Sequence, residues 1–361
     1  MNSKFQTRLE KIESALNQFL PENSNDEWKN LSFGSIDSCV KDAHFANLIK
    51  PCKTLVSLGG KRWRPLLMVL CAELAADAKK RPSSEIAYAL TPLVEFAHTA
   101  SLIHDDIEDN ADTRRGKPAA HLSYGLDVAL NAASWLYFQA TACIENLPLE
   151  GTEEEKAKIK NTFYTLFTTE LRRLHLGQAM DILWHRNADL IPNQEEYTAM
   201  VRNKTGTLAR LAVKAGILAG GGTAQEADEC GKIAEDIGTG FQILDDVTNL
   251  TTGNPGKKRG DDIVEGKKSL PVLLHLKDHK EDVQVICKYF AQAKKEGIES
   301  PAVEECIELL TKSGAIEKAK GYGVMIIHNK TSELADFFGN GECESATLIN
   351  ELFASMQAPK K

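Results

Sequence analysis

The stretch LIHDDIEDNADTRRG, Leu102 to Gly116, places four acidic residues in the five positions from Asp105 to Asp109 and sets Arg114 and Arg115 just beyond them. On an α-helix, residues i and i+4 share a face with Cβ atoms roughly 5–6 Å apart. Asp105 and Asp109 therefore point the same way, with Asp106 beside them. Like charges at that spacing repel and weaken a helix, so a compensating cation is expected. Mg²⁺ suits the position, because it takes oxygen ligands at about 2.0–2.1 Å, keeps several waters, and is usually held by one or two carboxylates plus substrate phosphates. Taken alone, such a motif reads more simply as a solvated acidic helix end. The preceding residues argue against that: Val94, Phe96, Ala97, Ala100, Leu102 and Ile103 make this helix largely apolar. An apolar helix tipped with carboxylates has the character of a pocket wall.

The pattern is echoed once. SLIHDDIED (101–109) and FQILDDVTN (241–249) each end an apolar helical run in a carboxylate pair, with a polar residue four positions after the first. The two copies stand 140 residues apart, too irregular for a stacked repeat. They predict two helices presenting one chemistry, with Asp245, Asp246 and the weaker oxygen ligand Asn249 as the second set. Cationic segments accompany them. GGKRWRP (59–65) puts Lys61, Arg62 and Arg64 behind a Gly pair at a helix entrance, the composition of an anion site. Lys204 lies in VRNKTGTLARL, and GNPGKKRGDDIVEGKKSLP adds Lys257 and Lys267. Carboxylates that call for Mg²⁺, together with clustered Arg and Lys, suit a dense polyanion such as a diphosphate; the apolar helices beneath suit a greasy tail.

Around these motifs, period-3.6 apolar patterning runs from end to end, without a convincing alternating strand. Gly/Pro/Asn-rich breaks separate about ten to twelve helical segments, and no tract is Gly/Ser-rich enough for a linker. The reading is one all-α domain over 1–361. It opens with an amphipathic helix in 1–30, where Phe5, Leu9, Ile12, Leu16 and Phe19 fall at helical spacing, and closes with supporting helices in 275–361. Net charge is 43 − 51 = −8, which disfavours nucleic acid and anionic membrane as partners. Eight cysteines, each at least 13 residues from the next, show no zinc or CxxC spacing. With no secretory signal they read as reduced thiols of a cytoplasmic protein. The longest uncharged run, Val128 to Ile144, falls short of a spanning helix and reads as core or subunit interface.

As a set, GGKRWRP, His98, DDIED followed by RRG, GQAMD (177–181), KTG (204–206), FQILDDVTN and GKKRGDDIVEGKKSLP (256–271) resemble the trans-type polyprenyl diphosphate synthases, most closely the geranylgeranyl diphosphate synthases. The pieces run in the family's order over about 59–271. The resemblance implies the isoprenoid synthase fold, a helical bundle around a deep central cavity, usually homodimeric. It implies Mg²⁺-dependent condensation of isopentenyl diphosphate with an allylic diphosphate. Carried over by motif, Asp105 and Asp109 hold two Mg²⁺ ions with Asp106 in support, and Asp245, beside Asp246, holds a third. Lys61, Arg64, His98 and Arg115 grip isopentenyl diphosphate; Arg114, Lys204, Lys257 and Lys267 grip the allylic diphosphate; Thr205 and Gln242 stand near the developing carbocation. Asn249 departs from the Asp that many members carry there and puts the second motif's metal affinity in question.

In such enzymes product length depends on the side chains just before the first aspartate, which here are Ala100 and Ser101, with Phe96 one turn further down. Two small residues argue against a farnesyl-length floor at that level, so the expected product is geranylgeranyl diphosphate (C20), with a longer chain and then farnesyl as alternatives. A terpene cyclase would share the acidic motif but needs no second-substrate cradle such as GGKRWRP and RRG. A non-catalytic partner subunit would be expected to have lost carboxylates or arginines that this chain keeps.

Overall fold

The structure, a computed structural model, describes residues 3–82, 85–253 and 258–357. Lys257, expected at the allylic diphosphate, lies outside the described residues. In chain order the α-helices are α1 Ser3–Phe19, α2 Asp26–Phe33, α3 Asp42–Ser57, α4 Trp63–Ala78, α5 Ile86–Ala89, α6 Thr91–Glu108, α7 Ala120–Tyr124, α8 Leu126–Gln139, α9 Ala142–Glu145 and α10 Glu153–Arg186. They continue with α11 Gln194–Lys204, α12 Gly206–Ala219, α13 Ala224–Thr251, α14 Asp261–Glu265, α15 Leu270–Asp278, α16 Val283–Glu296, α17 Pro301–Lys312, α18 Ala315–Ala335 and α19 Glu344–Gln357. Two residues on each side of a turn, β1 Thr113–Arg114 and β2 Lys117–Pro118, form a small antiparallel hairpin. The helices outnumber the ten to twelve read from periodicity. Four of them (α5, α7, α9 and α14) are only 4–5 residues long, too short to show a 3.6-residue repeat.

These residues pack as two compact units. Of the described residues, the first contains those in 3–82, 85–171, 210–231 and 335–354, and the second those in 172–209, 232–253, 258–334 and 355–357. The divisions fall inside α10, α12, α13, α18 and α19, which is why no linker composition marks them.

In the first unit α6 is the central element, in contact with α1, α3, α4 and α8. Pro92 in its first turn suits a helix start. Its residues Leu93 to Ala97, Thr99, Ala100 and Ile103 are buried, so burial on most sides gives it the apolar composition noted above. The segment Ile86–Glu108 has the length and apolarity of a membrane span, but 67% of its most apolar 18-residue stretch is buried in the protein. α12 lies close on α4 through glycine: a Cβ on Gly216 would stand 2.3 Å from the Met68 carbonyl oxygen, and one on Gly220 2.3 Å from that of Ala72. The amphipathic N-terminal segment forms α1, with Phe5, Ile12, Leu16 and Phe19 buried; α2 then starts anew at Asn25, whose side chain caps the Trp28 N–H at 2.7 Å.

In the second unit Trp184, Tyr197, Met200, Val201, Ile243 and Val247 belong to one apolar core with residues of α14 to α18. Gly240 and Gly323 let α13 and α18 approach closely, each having the other's carbonyl oxygen 3.0–3.1 Å from where its Cβ would be. Gly177, in the GQAMD segment, lets α10 run against the Lys204 backbone, only 2.3 Å from a Cβ built there.

Candidate active site

The first acidic motif occupies the C-terminal turn of α6. Asp105 keeps 19% of its side chain accessible, whereas Asp106 is turned inward at 1%. Asp109 is the C-cap, its N–H donating to the Asp105 carbonyl, so its carboxylate follows that of Asp105 by one turn. The inward carboxylate is held by Arg114, whose Nε donates to Asp106 Oδ1 at 2.8 Å and whose Nη2 also bonds it. Arg114 Nη2 also lies 3.6 Å from Asp105. Burial works against charge on Arg114, but the bond to Asp106 and the nearby Asp105 and Asp109 hold its guanidinium firmly protonated.

Arg115 turns elsewhere. Arg115 and Gly116 both take positive φ (52° and 74°), the mark of a two-residue type I′ hairpin turn between β1 and β2. That turn sends two consecutive arginines to different places. Arg115 Nη1 donates to the carbonyls of Leu55 and Gly59 at the end of α3, and its guanidinium lies 3.3 Å from where a Cβ on Gly60 would be. A Cβ at position 60 would crowd that guanidinium and make it give by a few tenths of an ångström.

Arg64, on the first turn of α4, stacks over Trp63 at 4.4 Å and approaches His98 Nε2 with Nη1 at 3.4 Å. Its Nε is buried with no partner. Burial, with Arg115 nearby, brings its guanidinium down to about 10, still protonated at neutral pH. His98 is pushed well below its ordinary value, first by burial and then by Arg64, Arg115, Arg114 and Arg62. It is therefore a neutral imidazole among cations at pH 7. Lys61 is exposed beside them. The structure thus brings Arg64, His98 and Arg115 together around the Gly59–Gly60 turn. Of the three chain-length candidates, Ser101 is partly accessible and bonds its own helix at the His98 carbonyl (2.8 Å), while Ala100 and Phe96 are fully buried.

In the second unit Asp245 is exposed and Asp246 buried, again one carboxylate out and one in. Asp246 is the hub of a network. Tyr197 Oη donates to its Oδ2 (2.7 Å), Gln242 Nε2 to its Oδ1 (2.9 Å), and the Leu270 N–H to Oδ2 (3.3 Å). Thr205 Oγ1 donates to Gln242 Oε1 at 2.7 Å, which fixes the orientation of the Gln242 amide. Burial raises the Asp246 carboxyl to about 6 even though Tyr197 and Gln242 favour its charge. Lys204 Nζ pairs with Asp181 at 2.6 Å, and Lys267 with Glu265 at 2.6 Å.

Asn249 is not presented as a ligand. It is 1% exposed, its Oδ1 accepts from the Asp262 N–H at 3.2 Å, and its carbonyl accepts from the Gly260 N–H at 2.9 Å. The reading of Asn249 as a weaker oxygen ligand is corrected on this point: its side chain braces the turn that leads into α14.

Among the described residues no three His, Cys, Asp or Glu groups form a ready-made metal cluster. Asp105 and Asp109 nevertheless offer partly accessible, all-oxygen donors one turn apart. A Mg²⁺ ion that keeps waters and takes phosphate oxygens needs such an open half-shell, so the donor set fits. Tyr197 had no signal in the sequence, a single tyrosine in the polar stretch NQEEYTA, because its partner lies 49 residues away. Asp181 was visible in GQAMD, but its pairing with Lys204 was not.

The polyprenyl synthetase family matches residues 46–310. A geranylgeranyl pyrophosphate synthase of Aspergillus versicolor is 34% identical over 71% of this chain and 63% of its own length. Another, of Neocamarosporium betae, is 32% identical over 84% of this chain and 83% of its own. The crystal structure of a geranylgeranyl pyrophosphate synthetase from Pyrococcus horikoshii Ot3 superposes with a TM-score of 0.76 at 25% identity, covering 99% of this chain and 98% of that one. The chain belongs to the polyprenyl synthetase family and has the all-α isoprenoid synthase fold. It is a prenyltransferase, in a family that is generally Mg²⁺-dependent.

Proposed function

We propose that this prenyltransferase joins isopentenyl diphosphate to an allylic diphosphate and releases geranylgeranyl diphosphate (C20). The observation that carries the assignment is the end of α6: Asp105 and Asp109 accessible, Asp106 locked by Arg114, and small residues, Ala100 and Ser101, in the turn before. The names of the Aspergillus and Neocamarosporium relatives support the C20 product.

In this reading Asp105 and Asp109 hold two Mg²⁺ ions and Asp245 a third. Bound Mg²⁺ stabilises the negative charge that develops on the departing diphosphate. Arg114, Lys204, Lys257 and Lys267 neutralise that same group, with Lys204 and Lys267 exchanging the carboxylates of Asp181 and Glu265 for phosphate oxygen. Lys61, Arg64 and Arg115 hold isopentenyl diphosphate, with Arg64 Nε as a waiting donor and His98 as a neutral one. The Thr205–Gln242 pair sets fixed dipoles near the allylic cation. Apolar walls exclude water from it. The released diphosphate accepts the proton lost after carbon–carbon bond formation, so no separate acid–base pair is needed.

The family match crosses both units, which supports one catalytic domain. A homodimer is part of the proposal: Leu126, Leu130 and Phe138 stand exposed on α8 at helical spacing, Phe138 at 76%. Eight free cysteines, most of them buried, fit a reducing cytoplasmic compartment. Chromatography of products made from labelled isopentenyl diphosphate with each allylic starter tests the function. A C20 product dependent on both substrates supports it. Diphosphate release from the allylic substrate alone at full rate contradicts it.

A further inference from the structure

GGKRWRP carries three cations, and the proposed mechanism uses two of them. Arg62, between Lys61 and Arg64, points the other way, into the first unit, with 4% of its side chain exposed. All the faces of its guanidinium are engaged. Nε donates to Glu13 of α1 at 2.7 Å, Nη1 to Glu95 of α6 at 2.6 Å, and Nη2 to the Val56 carbonyl at the end of α3 at 2.7 Å. A planar, permanently charged fork can meet two carboxylates and a carbonyl at once; an ammonium cannot hold the same geometry.

The backbone of Arg62 is as constrained as its side chain. It sits in the left-handed region (φ 45°, ψ 28°), disfavoured for a side-chain-bearing residue, and it is the N-cap of α4, its carbonyl accepting the Leu66 N–H at 3.0 Å. The chain therefore changes direction at Arg62. Trp63 begins the helix and packs edge-on against Phe353 at 5.8 Å, Arg64 lies over Trp63 toward His98, and Lys61 is exposed. Glu95 stands three residues before His98 and ten before Asp105 on α6, so the clamp fastens this loop to the helix bearing both. Arg115 completes the arrangement by bonding Leu55 and Gly59 of the same α3 end.

We infer that Arg62 is a positioning residue for isopentenyl diphosphate: clamped by Glu13, Glu95 and Val56, it fixes the 59–64 loop so that Lys61 and Arg64 converge on one diphosphate. The inference rests on the proposed role of Lys61 and Arg64 and adds a contribution of the N-terminal helix, through Glu13, to substrate capture. Arg62 touches no substrate. Its effect belongs on the affinity for one substrate and not on the affinity for the other.

Steady-state kinetics of the full-length protein, varying each substrate in turn, test this on R62M, R62K, E13Q and K61A, with thermal melts in parallel. Expected are a rise of tenfold or more in KM for isopentenyl diphosphate in R62M, a smaller rise in R62K, and about threefold in E13Q, which neutralises only the partner that is 44% exposed. KM for the allylic substrate should stay within twofold throughout. A parallel rise in both KM values, or a lower melting temperature with KM for isopentenyl diphosphate unchanged, would overturn the inference and make Arg62 a plain structural ion pair. Should R62M fail to fold, E13Q and R62K decide by the same criterion. K61A separates the two readings. If K61A raises KM for isopentenyl diphosphate and the Arg62 and Glu13 variants do not, only the positioning role fails; if K61A leaves it unchanged, the cradle assignment itself fails and takes the inference with it.

Discussion

Replacing Tyr197 with Phe removes one atom from the Asp246 hub and leaves the ring in place. The phenol is the shortest of the three bonds to Asp246, at 2.7 Å, and it and the carboxylate are both buried. Without it, Oδ2 keeps only the Leu270 N–H at 3.3 Å. A hydrogen bond to a charged group contributes about 1.5–3 kcal/mol, and a neutral one about 0.5–1.5 kcal/mol. The loss should therefore depend on the charge of Asp246. Burial has raised that carboxyl from 3.8 to about 6, so the folded protein keeps a proton that the unfolded chain has released. Stability from this group is full below the unfolded value and declines as pH rises through about 6. Tyr197→Phe withdraws a donor that favours the ionised form, so the carboxyl moves further up and the decline extends to higher pH. Urea denaturation of the metal-free protein with chelator present should show a loss of about 2 kcal/mol at about pH 8, shrinking to about 1 kcal/mol at about pH 5, where the carboxyl is protonated. Equal losses at both pH values, or a loss below about 0.5 kcal/mol at the higher one, would refute the hub.

Ala100→Phe should shorten the product by one isoprene unit on chromatography, and because Ala100 is fully buried it should also cost about 1–3 kcal/mol from overpacking; an unchanged product from a folded variant would place the floor elsewhere. KM for isopentenyl diphosphate, read with the substrate's own ionisation corrected, should stay flat from about pH 6.5 to 8.5, since His98 is neutral and Arg64 charged throughout. A limb near the ordinary histidine value would contradict the neutral imidazole. Asn249→Asp should leave half-saturation by Mg²⁺ within twofold while lowering thermal stability, because the side chain braces the Asp262 N–H and is buried; a severalfold tighter metal response would restore it as a ligand.

Much of the fold and the outer layer of the site is legible in the sequence. Asp105 and Asp109 fall on one helical face by spacing alone, and the apolar residues before them mark a buried helix. Clustering of Lys61, Arg64 and RRG likewise points to an anion. The inner layer is not legible, because it is made of contacts between distant positions. Nothing local distinguishes the outward Asp105 and Asp245 from the inward Asp106 and Asp246; that difference comes from Arg114 on a hairpin and Tyr197 on another helix. The hairpin itself escapes periodicity, since two residues per strand carry no alternation, and only the Arg115–Gly116 turn hints at it. Arg62 looks like its neighbours in sequence and differs from them through Glu13 and Glu95, 49 and 33 residues away.

In the proposed function the accessible carboxylates at the end of α6 run the reaction. The most direct measurement is the single-turnover rate of condensation of isopentenyl diphosphate with an allylic diphosphate by Asp105→Ala across a Mg²⁺ titration, with far-ultraviolet circular dichroism of the same sample. A fall of about a thousandfold or more, some 4 kcal/mol of transition-state stabilisation, at unchanged helicity is predicted. A rate within tenfold of the parent at the same Mg²⁺ concentration would contradict the account.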